Sequence, residues 1–266
     1  MTRRKKKKVA ELTIQDTVFP NRSIGEYEGN RIVLKGGIEG QRVKVRLGRK
    51  RKDHIEGRLL KVLERSPLEK NISCDYMKDC GGCTYQTLLY KDELALKEGQ
   101  VLALFENEDI KNFNYLGIEA SPRVEGYRNK MEYTFGDEVK GGPLILGLHR
   151  RGKFYEILDT SGCNIADGDF SLIRRRVMEY FRELGIPHYN KRVHKGVLRH
   201  LVIRKALSTG EIMINLVTTS QAEVDMDDFM EGLLAMKGLE GTITGILHTI
   251  NDGVADKVQA DELHLL

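Results

Sequence analysis

The sequence predicts a multi-domain chain: a small all-β barrel followed by an α+β body that carries a four-cysteine loop. Three observations predict it. Charge is segregated, with 19 Lys and Arg against 8 Asp and Glu in residues 1–66, and 24 against 31 in residues 67–266. Within the basic part, apolar and charged residues alternate with period two between glycines, the pattern of half-buried strands. Beyond it, helical-period stripes interleave with strand-like runs. All four cysteines lie there, with Cys74, Cys80 and Cys83 arranged as C-x5-C-G-G-C and Cys163 far downstream.

Residues 1–8 end in Arg3-Arg4-Lys5-Lys6-Lys7-Lys8 and read as a basic tail. No apolar region follows and no run of apolar residues is long enough to span a bilayer, so a cytoplasmic chain with no membrane partner is expected. Residues 9–66 form the barrel. Arg31-Ile-Val-Leu-Lys35, Val43-Lys-Val-Arg-Leu47 and Ile55-Glu-Gly-Arg-Leu-Leu60 alternate in and out, punctuated by Gly29, Gly36, Gly37, Gly40 and Gly48. Short strands at this spacing suggest an antiparallel barrel of the oligonucleotide-binding kind. Lys44, Arg46, Arg49, Lys50, Arg51, Lys52 and Arg58 are fixed to those strands or their turn. A cationic patch on rigid elements favours a polyanion, here RNA, over a merely solvated face.

Residues 67–266 form the second domain, opened by Ser66-Pro67. A helix over 88–106 presents Tyr90, Leu94, Val101, Leu104 and Phe105 as one stripe. A second helix, from about Asp169 to Leu184, carries Phe170, Ile173, Val177, Tyr180 and Phe181, with an aspartate at its start and Gly185 and Pro187 at its end. Its Arg174-Arg175-Arg176 run reads as a solvated face. Strands are expected at Lys130–Phe135, Leu144–His149, Leu198–Lys205, Glu211–Thr218 and Thr242–Ile250, with a further helix near Asp225–Lys237. His188, His194 and His200 lack metal-motif spacing and read as ordinary residues.

In a reducing compartment, clustered cysteines favour metal or redox chemistry over disulfides. Four-cysteine sites hold either zinc or an iron–sulfur cluster. Only Cys80 and Cys83 form a zinc-like knuckle, and the three-plus-one grouping is more typical of iron–sulfur. Gly81-Gly82 would let backbone N–H groups approach inorganic sulfide. Spacing favours iron–sulfur and leaves zinc open. No catalytic motif stands out. There is no H-E-x-x-H, no G-x-S-x-G and no P-loop, and Gly238, Gly241 and Gly245 precede a strand instead of following one.

The order of segments is nevertheless distinctive. A basic barrel ends at Ser66-Pro67. Cys74-x5-Cys80-Gly-Gly-Cys83 follows with Gln86, then Tyr127-Arg-Asn-Lys-Met-Glu-Tyr-Thr-Phe-Gly136, Gly147-Leu-His-Arg-Arg151, Cys163, Gly196-Val-Leu-Arg-His200 and Thr209-Gly-Glu-Ile-Met-Ile-Asn-Leu-Val217. This series resembles the SAM-dependent RNA uracil-5-methyltransferases of the type that modifies 23S rRNA, with the barrel as a TRAM domain.

The resemblance implies a [4Fe-4S] cluster on Cys74, Cys80, Cys83 and Cys163, and RNA held by the barrel and central domain, including Arg128 and Lys130. Tyr27, Tyr85 and Tyr133 are candidate base-stacking platforms. In the family, a cysteine attacks uracil C6 and a carboxylate removes the C5 proton. Here all four cysteines match cluster positions, and neither a Gly-rich SAM loop nor an Asp-Pro-Pro-Arg motif is present. The expectation is therefore the N-terminal recognition part of such an enzyme. The class I methyltransferase domain is expected to be absent, catalytic residues none, SAM used only with a separately encoded catalytic half, and the chain inactive alone. The 88–106 helix would then lose a packing partner and leave its stripe exposed, giving a marginally stable or self-associating chain. The alternative is a stand-alone iron–sulfur or zinc RNA-binding protein without catalysis.

Overall fold

Period-two alternation in the basic segment becomes a closed barrel in the computed structural model, which describes residues 8–70, 74–255, 258 and 260–266. The strands are β1 (Val9–Val18), β2 (Arg22–Tyr27), β3 (Asn30–Lys35), β4 (Arg42–Lys50) and β5 (Ile55–Glu64), closed in the order β1-β2-β3-β5-β4. β3 and β5 pair in parallel and the other neighbours are antiparallel. The alternate residues Leu12, Ile14, Ile32, Leu34, Val43 and Val45 point inward as the barrel core. Glu28 and Gly29 take positive φ of 51° and 70°. Positive φ at both central residues gives the primed turn that matches strand twist in a two-residue hairpin. At Gly57 a Cβ would lie 2.7 Å from Val45, so close approach of the strands inside the barrel requires glycine there. Residues 1–7 of the expected tail lie outside the described residues.

The chain divides into two compact units that are not collinear with the sequence. One is Met1–Ile72 with Cys83–Pro122, and the other is Ser73–Gly82 with Arg123–Leu266. The helix expected at 88–106 runs as α1 (Tyr90–Asn107) and belongs to the barrel unit. Two interactions attach it. Leu96 packs against Ile38, Tyr85 and Leu88, and the buried Gln100 amide donates to the Thr17 carbonyl at 3.0 Å and to the Tyr85 hydroxyl at 3.1 Å. Val101, Leu102, Leu104 and Phe105 are exposed, whereas Leu94 is half-buried.

The second unit is a seven-stranded sheet with helices packed into its core. Its elements are β6 (Lys130–Gly136), β7 (Ile145–Arg150), β8 (Lys153–Leu158), α2 (Gly168–Glu183), β9 (Leu198–Lys205), β10 (Glu211–Thr218), α3 (Met226–Leu234), β11 (Thr242–Ile250) and β12 (Glu262–Leu265). The sheet order is β12-β11-β10-β9-β6-β7-β8. Only β10 and β11 pair in parallel, with α3 as the crossover between them. Phe170, Ile173, Val177 and Phe181 of α2 recur at helical spacing and join Phe229 of α3 and the sheet residues Tyr133, Phe135, Leu201 and Ile214 in one core. Phe181 meets Phe135 edge-on at 5.7 Å and stacks on Phe229 at 5.5 Å. Asp167 caps α2 by accepting from the Asp169 N–H at 3.0 Å, and Gly185, at φ 65°, follows its end.

The Arg174-Arg175-Arg176 run does not form the solvated face expected of it. Arg174 is buried, its guanidinium donating to the Leu146 carbonyl and pairing with Asp159 at 2.9 Å. Arg175 alone of the three is exposed, and Arg176 is half-buried. No described helix is long and apolar enough to cross a membrane.

Candidate functional site

Strand register builds the first candidate surface, on the outside of the barrel. On β4, Lys44 and Arg46 alternate with buried Val43 and Val45, which forces both cations outward. On β5 they meet further cations: Lys44 faces Lys61, and Arg46 faces Arg58. All four are exposed. Like charges directly opposite across a sheet are destabilising, and among the described residues none of these four forms an ion pair. Arg42, on the same strand, is different because Glu64 at 2.6 Å and Glu11 at 3.0 Å neutralise it. Arg49, Lys50 and Lys52 are exposed at the β4–β5 turn. Arg51 is engaged there by Glu56, its Nε donating at 2.7 Å. The structure thus brings Lys44, Arg46 and Arg58 together and adds Lys61. Period two from Arg58 and Leu60 gave no cue to it, because a register shift between Lys44 and Val45 turns Lys61 outward out of phase.

Arg128 and Lys130 lie in the other unit. Arg128 is half-buried and its N–H donates to the Ile165 carbonyl at 3.0 Å, while Lys130 is exposed and pairs with Glu132 at 3.2 Å. Two of the three candidate stacking platforms are excluded by burial: Tyr133 is 1% exposed and Tyr85 is 8% exposed. Burial also pushes the Tyr133 hydroxyl well above the usual tyrosine range. Tyr27 is half-buried, with Lys8 Nζ 4.9 Å from its ring centre.

The second candidate site is the cysteine loop. Cys74, Cys80 and Cys163 belong to the sheet unit and Cys83 to the barrel unit. None of the four forms a disulfide, and all are half-buried. Arg151 fixes the loop by donating to the Cys80 carbonyl at 2.9 Å. Arg150 on β7 pairs with Asp79 at 2.6 Å. Tyr76 accepts from the Gly162 N–H at 3.0 Å and so ties the loop to the segment bearing Cys163. The Gly82 N–H donates to Cys80 Sγ at 3.3 Å. Burial raises the Cys74 thiol above its ordinary value, and the neighbouring Cys163 and Cys80 add to the rise. Among the described residues no three Cys, His, Asp or Glu side chains converge as a formed metal cage. The donor chemistry, soft thiolates alone, fits zinc or an iron–sulfur cluster.

No family model matches the chain. Curated relatives do. An uncharacterized RNA methyltransferase of Caldanaerobacter subterraneus subsp. tengcongensis is 44% identical over 261 residues, covering 98% of this chain and 58% of the relative. One of Clostridium tetani is 42% identical over 262 residues, covering 98% and 57%. The chain thus spans a little over half the length of the curated relatives it matches. Among solved structures, the Pyrococcus abyssi tRNA (uracil-54, C5)-methyltransferase in complex with S-adenosyl-L-homocysteine shares the fold. The TM-score is 0.67 and the identity 21%, over 95% of this chain and 55% of that one.

These matches overturn one expectation, that a catalytic class I methyltransferase domain is absent. The chain follows RNA methyltransferases over 98% of its length and a methyltransferase fold over 95%. Its fold class is therefore one shared with methyltransferases, and a separately encoded catalytic half is not supported. The physical reason is one of scale. A missing Gly-rich loop or Asp-Pro-Pro-Arg segment describes a few residues, whereas fold is carried by the order and pairing of whole strands.

Proposed function

We propose that this protein is an RNA methyltransferase that transfers a methyl group from SAM to C5 of a uridine, with the barrel acting as a TRAM-like RNA-binding module. One observation carries the RNA part: the exposed face on which Lys44 opposes Lys61 and Arg46 opposes Arg58. Such a face is repulsive until a polyanion lies on it. The relatives named as RNA methyltransferases and the fold shared with a uracil-C5 methyltransferase support the chemistry. SAM supplies an electrophilic methyl group, and none of the residues described above is assigned to hold it. What these residues do is bind and orient: the barrel cations take phosphates, and Arg128 and Lys130 add contacts in the sheet unit.

The proposed substrate is 23S rRNA. The test is transfer of labelled methyl from SAM by the full-length protein to unmodified rRNA, with unmodified tRNA alongside. Label in 5-methyluridine of rRNA is expected. Label in tRNA alone would move the substrate class, and label in neither would overturn the reading.

Cys74, Cys80, Cys83 and Cys163 are proposed to hold a [4Fe-4S] cluster, which would staple the Cys163 segment to the loop at 74–83. Supporting this are the all-thiolate donor set and the Gly82 N–H already directed at Cys80 Sγ. Anaerobic purification followed by iron, sulfide and zinc assays tests it. Equal iron and sulfide is expected, whereas zinc in their place, or no metal, would overturn the cluster.

A further inference from the structure

Phe154 and Tyr155 open β8 in the sheet unit and are 51% and 47% exposed. They follow a turn at Gly152, whose φ is 72°, and line a cavity of about 470 Å³ together with His188 and Asn190. A cavity of that volume lies within the range of small-ligand sites. The two rings form a stepped apolar surface. Phe154 stacks on His149, with ring centres 5.4 Å apart and planes 9° from parallel, and meets Tyr155 edge-on at 5.3 Å.

Cations stand over both rings. Lys191 Nζ lies 4.7 Å from the Phe154 centre, and the Arg192 guanidinium 4.2 Å from the Tyr155 centre. Both come from the segment between α2 and β9, where the Asn190 side chain accepts from the Arg192 N–H at 3.0 Å and fixes the turn. The carboxylates at the same mouth are already committed. Glu138 and Glu156 pair with Arg150 at 2.6 and 3.0 Å, and Asp137 accepts from the Gly141 N–H at 2.8 Å. Exposed aromatic rings beside cations, with the local acids internally satisfied, are what a single-stranded nucleic acid requires: a π-face for a base and positive charge for the flanking phosphates.

We propose that this cavity mouth is a second RNA site, where one unpaired base stacks on Phe154 and Tyr155 while Lys191 and Arg192 leave the rings for the adjacent phosphates. It deepens the reading above and rests on RNA being the substrate. For Arg192, which is exposed, the exchange is favourable because a cation over an exposed ring is held more weakly than a stacked base. The arrangement replaces Tyr85 and Tyr133 as the source of stacking.

The chain contains no tryptophan, so F154W makes its indole the sole reporter of that kind. A dye-labelled single-stranded oligouridylate is titrated into F154W while indole fluorescence and dye anisotropy are followed together. Quenching of the indole at the anisotropy midpoint is expected, with no quenching by a fully paired RNA. An anisotropy rise without quenching would overturn this site and leave RNA binding standing. Neither signal would overturn both. In the otherwise native protein, Phe154→Leu should weaken single-strand binding about 5- to 100-fold. Lys191→Glu with Arg192→Glu should flatten the slope of log affinity against log salt by about 1.4, as expected for two lost single-strand phosphate contacts. Unchanged affinity and slope in these variants would overturn the proposal.

Discussion

Lys205 reaches from β9 to Asp167 at 2.9 Å and Asp169 at 2.8 Å, and all three side chains are buried. Asp169 also accepts from the N–H groups of Glu240 and Gly241 at 2.8 and 2.9 Å. One small network therefore joins the start of α2, strand β9 and the turn before β11. Burial by itself would raise the Asp169 carboxyl, but Lys205 and the two N–H groups outweigh it and hold the carboxyl below its ordinary value. Burial would likewise lower Lys205, but its bonds to Asp169 and Asp167 leave it raised. The signs fix the pH window. A depressed carboxyl contributes stability that is lost as pH falls through its folded pKa, and a raised lysine contributes stability that is lost as pH rises through its own. The network should be intact from about pH 4 to about pH 10. Lys205→Met leaves two buried carboxylates without their cation and should cost about 3–5 kcal/mol in urea unfolding at neutral pH. A loss below about 1 kcal/mol, within the range of a surface pair, would mean the network is not coupled to folding.

The Arg46–Arg58 pair separates a structural from a binding role at the same scale. Arg58→Glu turns a repulsive cross-strand pair into an attractive one, so thermal unfolding should show a gain of about 0.2–1 kcal/mol. RNA affinity measured on the same preparation should fall. A variant both less stable and unchanged in affinity would remove the functional meaning of that face.

Among the helices, α1 differs from the other two at its start. Asp167 and Asp225 cap α2 and α3 through their side chains, whereas Leu89 at the head of α1 makes no side-chain cap and is exposed. The last turn of α1 also carries no basic residue to offset the helix dipole. The helix is instead held from its flank, by Gln100 and by Leu96. It also exposes apolar area, where Phe105 packs on Phe113 of the following segment at 4.7 Å and both stay partly open. Leu89→Ser supplies the missing acceptor for the first-turn N–H groups and should stabilise the barrel unit by about 0.5–2 kcal/mol. Hydrogen exchange should show slower opening at residues 90–93, and unchanged exchange there would mean the end is already satisfied in solution.

At the scale of the whole molecule, the sequence carried what depends on local period. The exposed phase of Val43–Leu47 placed Lys44 and Arg46 outside without any tertiary information, and the stripe Phe170, Ile173, Val177 and Phe181 placed α2 against the core. It did not carry what depends on which unit closes over a residue. Arg174 read as part of a solvated face but is buried, and Arg199, whose place no sequence pattern indicated, is buried too. Arg199 spends its charge on the carbonyls of Asn251, Gly253 and Ala255. Strand β8 was not legible because Lys153-Phe-Tyr-Glu-Ile-Leu158 has no alternation; its rings sit together at the surface instead of dividing between two faces. The regrouping of residues 83–122 with the barrel was hidden because Ile38 lies far from Tyr85 and Leu88 in the chain and meets them only on folding.

This division between legible and hidden charge has a measurable consequence. Of the cations counted in the sequence, those turned inward cannot release counterions from RNA, and those on the barrel face can. Replacing Lys44, Arg46 and Arg58 together by Gln should reduce the slope of log affinity against log salt for single-stranded RNA by about 2, following three lost phosphate contacts at about 0.7 each. The loss should be the same for RNAs of different sequence, because phosphate contacts position the strand without reading its bases. A slope unchanged by the triple variant would place the electrostatic footprint elsewhere. A loss confined to one RNA sequence would mean that these side chains read bases instead of backbone.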